Sequence, residues 1–405
     1  MVVSLQAIMM NKPRLLRQYL ISPILEFIRD SRAVGIVLLV CTVLSLLLAN
    51  VWPGAAYTGF WLREWHFFPE SLPMPHSPAH LINDLLMAVF FLMVGLEIKR
   101  ELMTGELSDM KTAALPVIGA AGGMVVPALF YVVFNIGGAF MHGWAIPMAT
   151  DIAFSLGILS LLGQKRATLS MRIFLMALAI IDDLGGIVAI ALFYTSNMSI
   201  SFLLYAGIVF LSLLALNLFK FRWLPLYFLL GAVLWYFVFR SGIHASIAGV
   251  LLAFTIPLSK SNKLIHALHD PVSFIILPFF ALANTAFVLP GLDALAADKT
   301  VVLGVGLGLL LGKPLGITLF TFLAIRLMKL KPQDWMSLPH MIGLGLIAGI
   351  GFTMSIFITA LAFGGDAQAE GAAKLSILAA SLLAGLLGFL ILKRRLKQEP
   401  EIKAE

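Results

Sequence analysis

Two adjacent carboxylates, Asp182 and Asp183, stand in the middle of the apolar run 173–193, and a single lysine, Lys313, stands in the middle of another, 301–325. Asp183 is the central residue of its 21, and Lys313 has twelve residues on each side. If each run is a membrane-crossing helix, these charges lie ~15 Å or more from either end. A charge at that depth costs about 3 kcal/mol on insertion scales and more in simulations, so it needs a partner or a water-filled cavity. Asp151, the eighth residue of the run 144–163, and Asp84, in the run 80–98, add two further intramembrane carboxylates.

Adjacent helical residues project ~100° apart, so Asp182 and Asp183 cannot share one environment. One is placed to pair with a cation such as Lys313 while the other lines a cavity. Two neighbouring carboxyl groups titrate as a pair. Such a pair accepts protons or a small hard cation, whose preferred ligands are oxygens, and does not easily hold both. Mutually exclusive occupancy, with access alternating between the two sides of a midplane site, is sufficient for antiport.

The elements that carry these groups follow from composition. Of 405 residues, 60% are hydrophobic and 12% charged, with mean hydropathy +0.98, whereas a soluble chain carries about 25% charged residues. The chain is an all-α integral membrane protein. Its one cysteine, Cys41, excludes an intramolecular disulfide framework and a cysteine-based metal site. Twelve runs meet the ~20-residue spanning length, near 33–51, 80–98, 113–135, 144–163, 173–194, 201–218, 223–239, 242–258, 271–290, 301–325, 341–363 and 375–392. With the N-terminus in the cytoplasm, 23 of the 28 Lys and Arg fall in inner segments; four, Arg63, Arg240, Lys299 and Lys374, fall outside, and Lys313 lies within a span. This asymmetry puts both termini in the cytoplasm and assigns the net charge of +7 to orientation rather than to nucleic acid. The expected organisation is a cytoplasmic tail at 1–32, one twelve-span domain at 33–395 and a short cytoplasmic tail at 396–405. No cleavage motif follows the first run, so the N-terminal tail is expected to stay attached. Within it Leu15, Leu16, Tyr19, Leu20, Ile24, Phe27 and Ile28 recur at helical spacing, which suits a helix in the cytoplasmic interface.

Two spans are interrupted. Span 4 contains Pro147, Thr150 and Asp151, a missing donor followed by side chains that can bond freed backbone. Span 11 contains Gly349 and Gly351 at its middle. Broken helices at corresponding positions in two halves mark a transporter binding site. Spans 4 and 11 are seven apart, an odd offset, so copies of a repeat must cross in opposite directions. The prediction is an inverted repeat, spans 3–5 against 10–12, with two broken helices that cross.

Plainer readings stand beside these. A lone buried aspartate such as Asp84 or Asp151 can be a hydrogen-bonded packing residue, and Glu97, Lys99, Arg100 and Glu101 can simply end span 2. His244, His266 and His269 titrate in the right range for pH switching, although a histidine near a loop is often ordinary. No enzyme is expected: an intramembrane aspartyl protease needs its aspartates on different helices, typically with a Gly-x-Gly-Asp motif that is absent here. A passive channel would show a carbonyl filter or a charge ring. The closest alternative is a proton-coupled transporter of a small organic solute, which would usually place aromatic or arginine groups at the midplane, where Lys313 is the only cation.

The residues Ala177 to Gly185 around the aspartate pair, the stretch Ala149, Thr150, Asp151, Ile152, Ala153, Phe154, and the stretch Gly312, Lys313, Pro314, Leu315, Gly316 together resemble the NhaA-type bacterial sodium/proton antiporters. The resemblance also covers 83–102, 241–249 and 349–358, and in all the chain from about 33 to 395. It implies a pH-regulated, electrogenic Na⁺(Li⁺)/H⁺ antiporter of the cytoplasmic membrane, with no cofactor. Asp182 and Asp183 would form the ion and proton site at the base of a cytoplasmic funnel, Lys313 would pair with Asp182, and Thr150 and Asp151 would sit at the helix crossing. Asp151 would offset positive helix ends there and Lys313 negative ones. Asp84 would be the carboxylate on the outward side. Glu97, Arg100, Glu101, His244, His266 and His269 would serve pH activation, and the hairpin 61–78 would join two copies into a homodimer. Ile265 departs from the pattern, which has an acidic residue before the histidine, and this bears on the midpoint or steepness of pH activation.

Overall fold

With no water in a bilayer core, a spanning segment must satisfy its own backbone groups, and a single chain segment does so only as a helix. The computed structural model describes residues 31–65, 74–163, 167–195, 198–329 and 332–395, and among them are helices and turns but no strand. In order, the principal helices are α1 (Ser31–Asn50), α2 (Pro78–Thr104), α3 (Met110–Asn135), α4 (Ile152–Leu161), α5 (Leu169–Phe193), α6 (Ile200–Leu218), α7 (Leu224–Ser241), α8 (Ile247–Thr255), α9 (Leu258–Asn284), α10 (Lys299–Leu327), α11 (Leu338–Ala348), α12 (Phe352–Ala362) and α13 (Ala367–Arg395). A 3₁₀ segment, Met141–Met148, leads into α4 and forms span 4 with it. The expected N-terminal interfacial helix, the C-terminal tail and the middle of the 61–78 hairpin lie outside the described residues.

Ten of these helices are long and apolar enough to cross a membrane, and α11 with α12, bent by 52° at their break, makes an eleventh. The expected twelfth, near 242–258, is shorter than its hydropathy suggested. Gly242, at φ 85, ends α7 in the left-handed conformation that favours glycine. The extended Ile256, ahead of Pro257, ends α8 after nine helical residues. Lys99 of α2 donates to the carbonyls of Phe254 and Ile256, at 2.8 and 2.5 Å, so a cation meets the negative end of that short helix.

Packing between helices relies on small residues, as it must where lipid is as apolar as leucine. The broadest interhelical contact joins α3 and α10. There Gly122 and Gly316 face each other reciprocally: a Cβ on Gly122 would stand 2.3 Å from the Gly316 carbonyl oxygen, and one on Gly316 would stand 2.1 Å from the Gly122 carbonyl oxygen. These are the first helices of the two expected repeat copies, and the exchange of like contacts is what a local two-fold axis produces. A buried aromatic cluster closes the centre, with Phe357 of α12 at 5.5 Å from Phe91 of α2 and 6.2 Å from Phe280 of α9, between ring centroids. By contrast α6 exposes Ile200, Leu204, Ile208 and Leu211 along one face, a surface suited to lipid.

Among the described residues three helices contain a π-helical turn, Ile82–Leu86 around Asp84, Val272–Ile276, and Gly308–Gly312 just before Lys313. Pro314 cannot donate and its ring crowds the carbonyl of residue 310, so the wider turn relieves a clash that a regular helix would carry.

The α3/α10 contact is testable. Gly122→Leu places a side chain against a backbone carbonyl and is expected to destabilise the purified protein by roughly 2 kcal/mol or more. Gly207→Ala, on open space in α6, is expected to be neutral or slightly stabilising. Detergent-solubilised thermal unfolding checks both, and equal behaviour of the two variants would contradict this packing.

Candidate functional site

The two interrupted spans meet where their helices break. On one side, Ala149 at ψ 150 and Asp151 at ψ 104 leave the helical region between Met148 and α4. On the other, Gly349, Ile350 and Gly351 separate α11 from α12. Gly349 must be small, since a Cβ there would stand 2.5 Å from the Leu309 carbonyl oxygen. The breaks are stitched reciprocally. Ser155 Oγ donates to the Ile347 carbonyl at 2.9 Å and Ser355 Oγ donates to the Ile146 carbonyl at 2.8 Å, each serine reaching across to the half-helix before the other's break. The Asp151 N–H also donates to the Ile350 carbonyl at 2.7 Å.

Charge is matched to the helix ends freed by the breaks. Asp151 Oδ1 accepts the Phe154 N–H at 3.0 Å and so caps α4, while Oδ2 accepts the N–H and hydroxyl of Thr353 at the start of α12. One carboxylate thereby serves two helix N-termini. Ser381 of α13 accepts the N–H groups of Gly351 and Phe352 at 3.2 and 3.3 Å, completing the cap of α12. Lys313, fully buried, donates to the Met148 carbonyl at the end of the 3₁₀ segment and to Asp182 Oδ2 at 2.6 Å.

Asp182 and Asp183 lie in different surroundings. Thr150 Oγ1 stands 2.7 Å from Asp182 Oδ2 and 2.8 Å from the Ala348 carbonyl, and its one proton serves one of the two at a time. Asp182 and Lys313 do not line the cavity beside them. Asp183 does, and its Oδ1 has no hydrogen-bond partner among the described residues. This cavity, of about 430 Å³, also takes in Thr150, Asp151 and Thr353 and reaches Glu97, Arg100 and the exposed His269.

The remaining sequence candidates divide. Arg100 donates to Glu101 Oε1 at 2.8 Å, and Glu101 Oε2 also accepts the Glu106 N–H at 3.1 Å. His266 is exposed and takes no part in the cavity, and the preceding Ile265 is buried among apolar side chains. Asp84 and His244 are brought together with each other but not with the aspartate pair: the His244 ring nitrogen lies 3.3 Å from Asp84 Oδ1. Sequence reasoning missed His80, 2.6 Å from Asp84 Oδ2, and the serines 155, 355 and 381. The i,i+4 spacing of His80 and Asp84 was available as a signal; the serines carried none.

The model of the family described as Na⁺/H⁺ antiporter 1 matches residues 25–392. The chain belongs to that family. Among curated relatives in the Na⁺/H⁺ antiporter 1 family, it is 48% identical to the Na⁺/H⁺ antiporter NhaA of Dechloromonas aromatica over 377 residues, 90% of this chain and 94% of that one. It is 47% identical to the NhaA of Cytophaga hutchinsonii over 382 residues, 92% and 95% of the two chains. With the NhaA of Escherichia coli it shares 45% identity over 385 residues, 92% and 98%. Members of the Na⁺/H⁺ antiporter 1 family are secondary transporters and not enzymes, and this chain has the corresponding all-helical membrane fold.

A buried pair broken on one side leaves an uncompensated charge. Lys313→Met is expected to lower stability by about 3–5 kcal/mol, and adding Asp182→Asn is expected to recover much of that loss. Thermal unfolding of the single and double variants reads the difference, and an additive double variant would count against a direct pair.

Proposed function

We propose that this protein is a pH-regulated, electrogenic antiporter that exports Na⁺, and Li⁺ in its place, in exchange for protons entering a bacterial cell across the cytoplasmic membrane, with both termini cytoplasmic. Asp183 receives the cation or a proton from the cavity. Asp182 is held by Lys313 and Thr150 until an ion at Asp183 draws one of its oxygens into the coordination shell. Protons and the cation compete for the same oxygens, so the loaded forms are exclusive. Two carboxyl groups discharge two protons against one monovalent ion, which moves net charge in each cycle. Access alternates as the stitched breaks of spans 4 and 11 change their arrangement about the site.

The observation that carries this reading is the division of the aspartate pair: Asp182 is bonded through Oδ2 to a buried lysine and does not line the cavity, whereas Asp183 lines it, the Oδ1 of each having no hydrogen-bond partner among the described residues. A structural ion pair alone needs no second, cavity-facing carboxylate beside it. Glu97, Arg100 and His269 at the far part of the cavity, with Glu101 bonded to Arg100, are placed to set the local potential that an arriving cation meets. With His244 and His266 they are the groups assigned to pH control. Two copies associate through the 61–78 hairpin.

The test is Na⁺-induced or Li⁺-induced dissipation of a ΔpH in everted membrane vesicles, from mildly acidic to alkaline pH, for wild type and Asp183→Asn. Exchange that rises with pH in the wild type and is lost in the variant is expected. Unchanged exchange in Asp183→Asn would move the site elsewhere, and no exchange in either would reject Na⁺/H⁺ antiport.

A further inference from the structure

A second group of titratable side chains gathers around the start of α2. His80 and Asp84 precede Glu97 on the same helix by 17 and 13 residues, roughly 20–26 Å, and precede Phe90, where the cavity lining on α2 begins, by ten and six, roughly 9–15 Å. His80 is half-exposed, with a side-chain exposure of 40%, and its Nε2 lies 2.6 Å from Asp84 Oδ2. Asp84 is 8% exposed and His244 13%, and His244 Nε2 lies 3.3 Å from the other oxygen, Asp84 Oδ1. The carboxylate therefore bridges two imidazoles, one half-exposed and one largely buried. On its inner side the His244 ring meets the edge of Phe357 at 5.1 Å, the same ring that packs on Phe91 and Phe280. Its Nδ1 lies 2.8 Å from Ser246 Oγ.

The surroundings fix the turn that carries Asp84. Trp235 of α7 donates to the Asp84 backbone carbonyl at 3.1 Å, and its ring stacks on Phe239, which flanks His80 at 5.9 Å. His76, 5.7 Å from His80 between ring centroids, is the further titratable group facing the cluster from the outer turn. Arg240 of α7 is turned away, over the Phe202 ring at 4.7 Å. Of α9, Asn284 faces the Asp84 turn through its bond with Asn83, and from α12 it is Phe357. Each ring turns Nε2 to Asp84 and Nδ1 to a backbone N–H at 3.4 Å, of His76 for His80 and of Ser246 for His244, so a relay needs Nδ1 to exchange that long contact for a proton while Nε2 releases one, the carboxylate receiving from one ring and giving to the other. A π-helical turn at Ile82–Leu86 sets Asp84 within reach of both rings.

The geometry points to a proton station, His80–Asp84–His244, that passes protons between the outer aqueous phase and the interior of the bundle, separate from the Asp182–Asp183 site. His80 is its solvent-facing member. This inference rests on the Na⁺/H⁺ exchange proposed above.

The station should matter most where free protons are scarce. In oriented proteoliposomes at fixed inner pH, ²²Na⁺ efflux driven by outer protons is measured over a series of outer pH values for wild type, His80→Gln and His80→Leu. His80→Gln keeps a hydrogen-bond donor for Asp84 but carries no proton. It is expected to slow proton-driven efflux about tenfold at alkaline outer pH, with the deficit shrinking as outer pH falls. Isotopic Na⁺/Na⁺ exchange, which moves no proton, is expected to be unaffected. A loss in His80→Leu that His80→Gln restores, a loss independent of outer pH, or a parallel loss of Na⁺/Na⁺ exchange would each show a packing role and overturn the proposal, as would no change in either variant. A wild type that does not exchange Na⁺ for protons removes the reading beneath it and the station with it, an outcome the wild-type trace reports by itself.

Discussion

Lys313 Nζ donates at once to a carboxylate and to the last carbonyl of a helical segment, both fully enclosed. An ammonium with no water around it is tolerable only if its protons and its charge are both met. Here Asp182 meets the charge, and the negative end of the Met141–Met148 segment supplies another acceptor. That end exists only because span 4 breaks, so the lysine and the break require one another. The same holds for Asp151 with opposite sign: its two oxygens are used up by N–H groups and a hydroxyl at the starts of α4 and α12, which exist only because spans 4 and 11 are both broken. Four half-helices and three charges therefore form one compensated unit in the middle of the protein.

The surrounding contacts are built in reciprocal pairs. Gly122 and Gly316 each press on the other's carbonyl, and Ser155 and Ser355 each donate to the half-helix before the other's break. In a reciprocal arrangement two halves of similar construction offer each other similar surfaces. The exchanged bonds are single hydrogen bonds from serine hydroxyls, each of modest net worth, about 1 kcal/mol. Such bonds can be exchanged at small cost, whereas the Asp151 and Lys313 anchors cannot. The fold thus combines rearrangeable seams with a charge framework that only an arriving or departing charge redistributes, which suits a two-state transporter.

The sequence disclosed this arrangement unevenly, for physical reasons. Charges at the centre of long apolar runs stand out because bilayer burial is so costly that chance rarely leaves them there, and Asp182, Asp183, Lys313 and Asp151 were all visible in that way. The breaks at Pro147 and at Gly349 and Gly351 were legible because those residues disturb any helix. The shortness of α8 was not, since hydropathy reports where apolar residues are and not where backbone dihedrals change; only Pro257 hinted at the stop. Ser155, Ser355 and Ser381 were invisible because a serine in an apolar helix is common and its significance lies in a partner some 30 to 209 positions away. Which aspartate faces the lysine was open to residue spacing alone, although the family resemblance paired Lys313 with Asp182. The ~100° between neighbours separates them, but only the packing of α3 and α10 decides which side the lysine occupies.

That choice has a consequence for the proposed cycle. Because Asp182 is the bonded member, a cation arriving at Asp183 must compete with Lys313 for the oxygens of Asp182, and winning that competition leaves the lysine and the Met148 end of the helix with one counter-charge fewer. Whatever ion affinity is measured is therefore net of a rearrangement in the charge framework that holds the crossing together. A ligand shifts a conformational equilibrium only by its differential affinity for the two arrangements, and here the difference is built in, because the bound and empty forms distribute the same three charges differently over the same four helix ends. Protonation of the aspartates restores the balance by another route, removing negative charge in place of sharing it. In the proposed cycle sodium and protons thus act on one framework from opposite directions, and their exchange is coupled without any contact between them.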